Sequence, residues 1–193
     1  MPLTEIAPGL RRWTAWHDEW QSDVGCLAVD TDDGLVLVDP LDPPSDLSQP
    51  EHVLLTIHWH ARSAKAPHVW AHERTAKLLA NRGVELTDPI GSDPLPGRIQ
   101  AIETARPGEV VYWLPGQQAV AVGDLLLGAG AKPHATDEPL RLCPERWLGK
   151  ATHEDLRESL APLLELPVKR VLVSHGEPVL GGGVEALATV LAG

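Results

Sequence analysis

Short apolar runs, each bounded by turn residues, recur along the chain and predict a sequence of strands with a few helices. Cys26-Leu27-Ala28-Val29 and Leu35-Val36-Leu37-Val38 flank Asp32-Asp33-Gly34, so residues 24–40 read as a β-hairpin. Residues 40–50 (PLDPPSDLSQP) are too proline-rich for a regular element and form a loop. Val53 to Ile57 is a buried-strand pattern, and Val69-Trp70-Ala71 is a second, shorter one. Glu73 to Arg82 reads as a helix closed by Gly83, followed by an irregular excursion over 84–100 with several prolines and glycines. Val110–Trp113 and Gln118–Val122 are strands joined by a turn at Pro115-Gly116. Residues 128–150 read as a surface loop. Thr152 to Leu164 is a helix with a capping-box pattern, Thr152 to Asp155, and Leu156, Leu160 and Leu163 on one face. Pro162 shortens its last turn. Val168 to Val173 is a strand, and Val184 to Leu191 keeps helical spacing.

Four of these strands finish on a side chain able to hold a metal or a proton. They are VLVDP at Asp39, VLLTIHWH at His58 and His60, VAVGD at Asp124, and VLVSHG at His175. In extended chain, residues i and i+2 point the same way, so the two imidazoles of His58 and His60 would face one ion. Imidazole suits Zn, Fe, Ni or Cu. In sheets with helices outside, the crevice beyond the strand ends is where ligands bind.

From about Val24 to the C-terminus, the order and spacing of these elements resemble the metallo-β-lactamase-fold hydrolases. The resemblance implies an α/β (α+β) fold, a single-domain αββα sandwich of two mixed β-sheets with outer helices. Its H-x-H-x-D-H hallmark implies His58 and His60 as metal ligands. Asp124 matches the bridging aspartate, His175 the final histidine, and Asp39 the structural aspartate. The chain departs from the pattern where the family has Asp-His, which here is Arg62-Ser63. The turn expected to carry a third histidine reads Thr104-Ala105-Arg106-Pro107-Gly108. Two ligands are too few for a second tight site, so at most one tightly bound divalent ion, zinc or another, is expected.

Two readings follow. In the first, a metal-bound water hydrolyses an ester, thioester, lactone or phosphoester, with His58, His60 and Asp124 as ligands and Asp124 and His175 as the catalytic pair. In the second, the domain is a metal-free pseudoenzyme that binds a small molecule or a partner. There Arg62 fills the vacated metal position and pairs bidentately with Asp124.

Composition narrows the partners. A formal charge of −11, from 16 Lys and Arg against 27 acids, with no basic stripe, argues against nucleic acid. No apolar run approaches a membrane span, and the opening residues lack a signal-peptide pattern, so a cytoplasmic protein with a small-molecule substrate or ligand is expected. Cys26 and Cys143 lack metal-type spacing and read as thiols, Cys26 in the core. No G-x-S-x-G occurs, and Ser174 and His175 are chain neighbours whose side chains diverge in a strand, which excludes a serine triad. Trp13, Trp16 and Trp20 cluster near the N-terminus, in the core or in a pocket wall.

Overall fold

The computed structural model describes residues 3–81, 88–91 and 94–193. The predicted end of the first helix, Arg82 and Gly83, and part of the 84–100 excursion lie outside the described residues. Two sheets form the centre. The first holds β1 (Thr4–Ala7), β2 (Leu10–His17), β3 (Ser22–Thr31), β4 (Gly34–Val38), β5 (His52–Leu55), β6 (His68–Ala71) and β7 (Asp88–Pro89), side by side in chain order. Neighbours are antiparallel through β4 and parallel from β4 to β7. The second sheet has the order β13-β10-β9-β8, from β8 (Gln100–Glu103), β9 (Val110–Leu114), β10 (Ala119–Val122) and β13 (Arg170–Val173), with β10 and β13 parallel. A small antiparallel pair, β11 (Leu126–Gly128) and β12 (Leu140–Leu142), lies beside it.

Alternation along the strands explains the layering. On β4, Val36 and Val38 face the second sheet, and with Leu54 and Trp70 they pack against Tyr112, Leu114, Ala121 and Leu172. Leu35 and Leu37 point the other way and pack with Val53, Leu55 and Leu79 of α1 (Glu73–Ala80). The far face of the second sheet, Val111, Val120, Val171 and Val173, meets Leu156 and Leu160 of α2 (His153–Leu160) and Leu187 of α3 (Gly183–Ala192). A period of two thus supplies each sheet with two apolar faces, and helices cover the outer ones. The architecture is the αββα sandwich.

The structure adds two strands, corrects one loop and shortens the second helix at Pro162 as expected. β1 and β2 are additions: in β2, Arg11 and Arg12 interrupt the apolar alternation of Leu10, Trp13 and Ala15, all of which are buried. Residues 128–150 are not one loop. They contain β12 and a 3₁₀ turn at Glu145–Trp147. The helix beginning at Thr152 ends at Leu160 and continues as a 3₁₀ turn over Ala161–Glu165, the tightening that Pro162 imposes.

Candidate functional site

The site lies where β4 and β5 of one sheet end against β10 and β13 of the other. Hydrogen bonds stitch the two sheets together there: Val110 N–H to Thr56 O (3.0 Å), Tyr112 O–H to Leu55 O (2.8 Å) and Gly25 N–H to Ser174 O (2.8 Å). Asp39, just past β4, holds a left-handed backbone (φ +48°) and is 2% exposed. One of its oxygens accepts Thr56 N–H (2.8 Å), and the other accepts the Thr56 hydroxyl (2.5 Å) and faces His60 Nδ1 (2.8 Å). An ionised carboxylate only accepts, so Nδ1 carries the hydrogen and His60 turns Nε2 inward.

His60 is completely buried. Its Nε2 lies 3.2 Å from Asp124 Oδ1 but off the line a hydrogen bond needs, and it has no other partner among the described residues. His175 Nε2 lies 3.1 Å from the same oxygen. The ligand atoms of His60, Asp124 and His175 all fall within 4.8 Å of one another. Zinc at ~2.0–2.1 Å from tetrahedral ligands needs about 3.3 Å between them, so the two close pairs already match such an ion. Two imidazoles and a carboxylate form a catalytic zinc ligand set with one position open, and a carboxylate holding the far nitrogen of a ligating histidine is its usual support. The donor set fits a single divalent metal ion.

Asp124 Oδ2 is held separately. It accepts Trp59 Nε1–H (2.6 Å) and lies 3.6 Å from Arg106 Nη1. Arg106 is anchored by Glu109 (2.9 Å) and lies 4.5 Å above the Trp59 ring, and the other Glu109 oxygen accepts Asp124 N–H (2.7 Å). Burial opposes charge on His60, but Asp39 and Asp124 outweigh it and raise His60 to about 9. Burial would raise Asp124, yet His60 and His175 hold it well below the usual carboxylate range. Burial, then the charge of Asp124, push Glu109 up to about 7 against the pull of Arg106.

Two placements differ from those the sequence suggested. β5 stops at Leu55, and His58-Trp59-His60 is a 3₁₀ turn, so the two histidines do not share a strand face. His58 lies against the Trp59 ring in the cavity wall, outside the three-residue cluster. Arg62 forms no ion pair with Asp124 and packs 4.9 Å from the Trp20 ring instead. The cation beside Asp124 is Arg106, from the very turn where a third histidine was expected. Ser63 accepts Asp42 N–H at 3.2 Å and is not part of the cluster. Sequence reasoning gave no role to Trp59, Arg106, Glu109 or Thr56. The only available signal was the arginine next to Ala105 in that turn. An open cavity of about 1010 Å³ leads to the cluster, lined by Trp20, Trp59, Arg62, Arg106, Lys132 and Trp147 among others.

No protein-family model matches the chain, and no curated protein matches it in sequence. Solved structures do. A metallo-β-lactamase from Erythrobacter litoralis, with β-mercaptoethanol in its active site, superposes with a TM-score of 0.70 at 16% identity, covering 98% of this chain and 94% of that one. One from Pontibacter korlensis gives a TM-score of 0.67 at 19% identity over 99% and 98%. The mono-zinc form of FIM-1 from Pseudomonas aeruginosa gives 0.62 at 14% over 99% and 93%. The chain has the metallo-β-lactamase fold. Among the described residues, no helix is long and apolar enough to cross a membrane.

Proposed function

We propose that this chain is a hydrolase working with one divalent metal ion, zinc by its donor chemistry, held by His60, Asp124 and His175. The observation that carries the reading is His60: its Nδ1 is locked on Asp39, and its Nε2, which makes no hydrogen bond among the described residues, clusters with Asp124 and His175, two residues that line the cavity. An ion bound there supplies Lewis-acid polarisation and activation of water at neutral pH. The chain's own groups do the rest. Asp39 accepts from His60 Nδ1–H and so leaves Nε2 as the nitrogen that an ion would take in exchange for a proton. Trp59 and Arg106 hold Asp124 Oδ2 in place, His60 and His175 keep Asp124 ionised, and Oδ1 is left for the ion or for a proton. Arg106 also sets a permanent positive charge beside the reacting centre, where an oxyanion develops in acyl or phosphoryl transfer. The mono-zinc form of FIM-1 is a precedent for one ion in this fold.

Substrates of this class are esters, thioesters, lactones and phosphoesters. The test is hydrolysis of one representative of each by zinc-loaded and chelator-treated protein, beside Asp124→Asn. Turnover of at least one with zinc, lost on chelation and reduced ~100-fold or more in the variant, is expected. Equal rates in all three samples would refute the proposal. A second reading, a metal-free binding domain, draws on Arg106, whose fixed cation 3.6 Å from Asp124 works against a dication. Failure to take up zinc would favour it.

A further inference from the structure

The cavity wall carries a cation for which the catalytic reading has no use. Arg62, Arg106 and Lys132 line it, against the carboxylates of Glu19 and Asp124, in a chain whose net charge is −11. Arg106 is matched by Glu109 and Asp124, and Lys132 Nζ donates to Gln21 O (2.9 Å). Arg62 is different. Among the described residues its Nε and Nη1 are buried with no hydrogen-bond partner, and it pairs with no carboxylate. Asp39, the acid that acts most strongly on the Arg62 charge, has both oxygens taken by Thr56 and His60. Buried donors of a permanent cation are costly when unmatched, and a guanidinium fork is shaped for two oxygens of one anion. The surrounding wall is apolar and aromatic: Trp20, Trp59, Leu79, Pro133 and Trp147.

Resting on the proposed hydrolase site, we infer that Arg62 is the docking point for an anionic group of the substrate, a carboxylate or phosphate on an apolar or aromatic body. The body lies along the tryptophans, and the anion takes the open donors of Arg62. Trp20 packs against the guanidinium, so the anion moves the indole aside as it binds.

The test uses the full chain and three probes: benzoate, phenyl phosphate and the neutral analogue benzamide. Binding is titrated by calorimetry in chelator-containing buffer and again with zinc. At least one of the two anions is expected to bind in both buffers, more weakly as salt rises, and at least tenfold more tightly than benzamide. The preferred anion tells carboxylate from phosphate. Arg62→Gln loses at least tenfold in affinity, and Arg62→Lys, which keeps the charge but not the fork, falls between. Benzamide binding as well as the anions, equal affinity in a folded Arg62→Gln, or no anion binding would overturn the inference. Because binding is read without metal, its failure is distinct from failure of the zinc-dependent activity.

Discussion

Gly123 shows how tightly single atoms define this site. A Cβ there would sit 2.5 Å from Thr56 Oγ1 and 2.7 Å from Glu109 Oε1, the two groups that orient Asp39 and Asp124. Gly123→Ala is therefore expected to cost about 1–3 kcal/mol of stability and to weaken zinc binding, because relief requires Thr56 or Glu109 to move. Denaturant midpoints and zinc titrations on the same samples check both effects, and an unchanged zinc affinity would contradict the packing argument. Asp39 gives a second prediction at this scale. Asp39→Asn removes the carboxylate that holds His60 Nδ1, and zinc affinity should fall about 10–100-fold. Asp39, His60, Asp124 and His175 were legible in the sequence because each follows an apolar strand. Arg106 and Trp59 were not. Their roles come from meeting Asp124 across the fold, 18 and 65 residues away in sequence for Arg106 and Trp59 respectively, and no local pattern encodes that.

At the scale of elements, the end of β5 decides which histidine enters the cluster. Thr56 gives both its N–H and its hydroxyl to Asp39, so its N–H cannot continue the ladder and the chain turns. His60 N–H then closes on Ile57 O at 3.1 Å. With about three residues per turn, positions i and i+2 no longer point the same way. The strand reading of His58 and His60 failed for that reason, although the apolar run before them was read well. The start of α2 was legible to the residue. Thr152 and Asp155 form the reciprocal capping box. Thr152→Ala should lower stability by about 1 kcal/mol, seen as a lower urea midpoint, and leave zinc affinity untouched. A loss of zinc binding in that variant would mean that α2 supports the site more directly than its packing indicates.

At the scale of the whole molecule, individual strands were legible where alternation is clean and opaque where charges interrupt it, as in β2, while the sandwich itself came from the resemblance that runs from Val24 onward. The two cores flanking the sheets also bury the two cysteines, Cys26 and Cys143. Burial pushes both thiols from 9.0 up to about 12. A raised folded value means the contribution to stability is complete below pH 9.0 and is lost as pH climbs toward 12. At pH ~8 an aromatic disulfide reagent should find no fast-reacting thiol in the native protein, and both after unfolding. A fast native reaction would show that one of these cores opens. The central claim is that one ion sits on His60, Asp124 and His175, and not on the histidine pair that the sequence presents. Zinc titration of the wild type, His58→Ala and His60→Ala tests it most directly. One equivalent is expected for the wild type and for His58→Ala, and none tightly bound by His60→Ala. Loss of binding in His58→Ala, or two tight equivalents in the wild type, would contradict it.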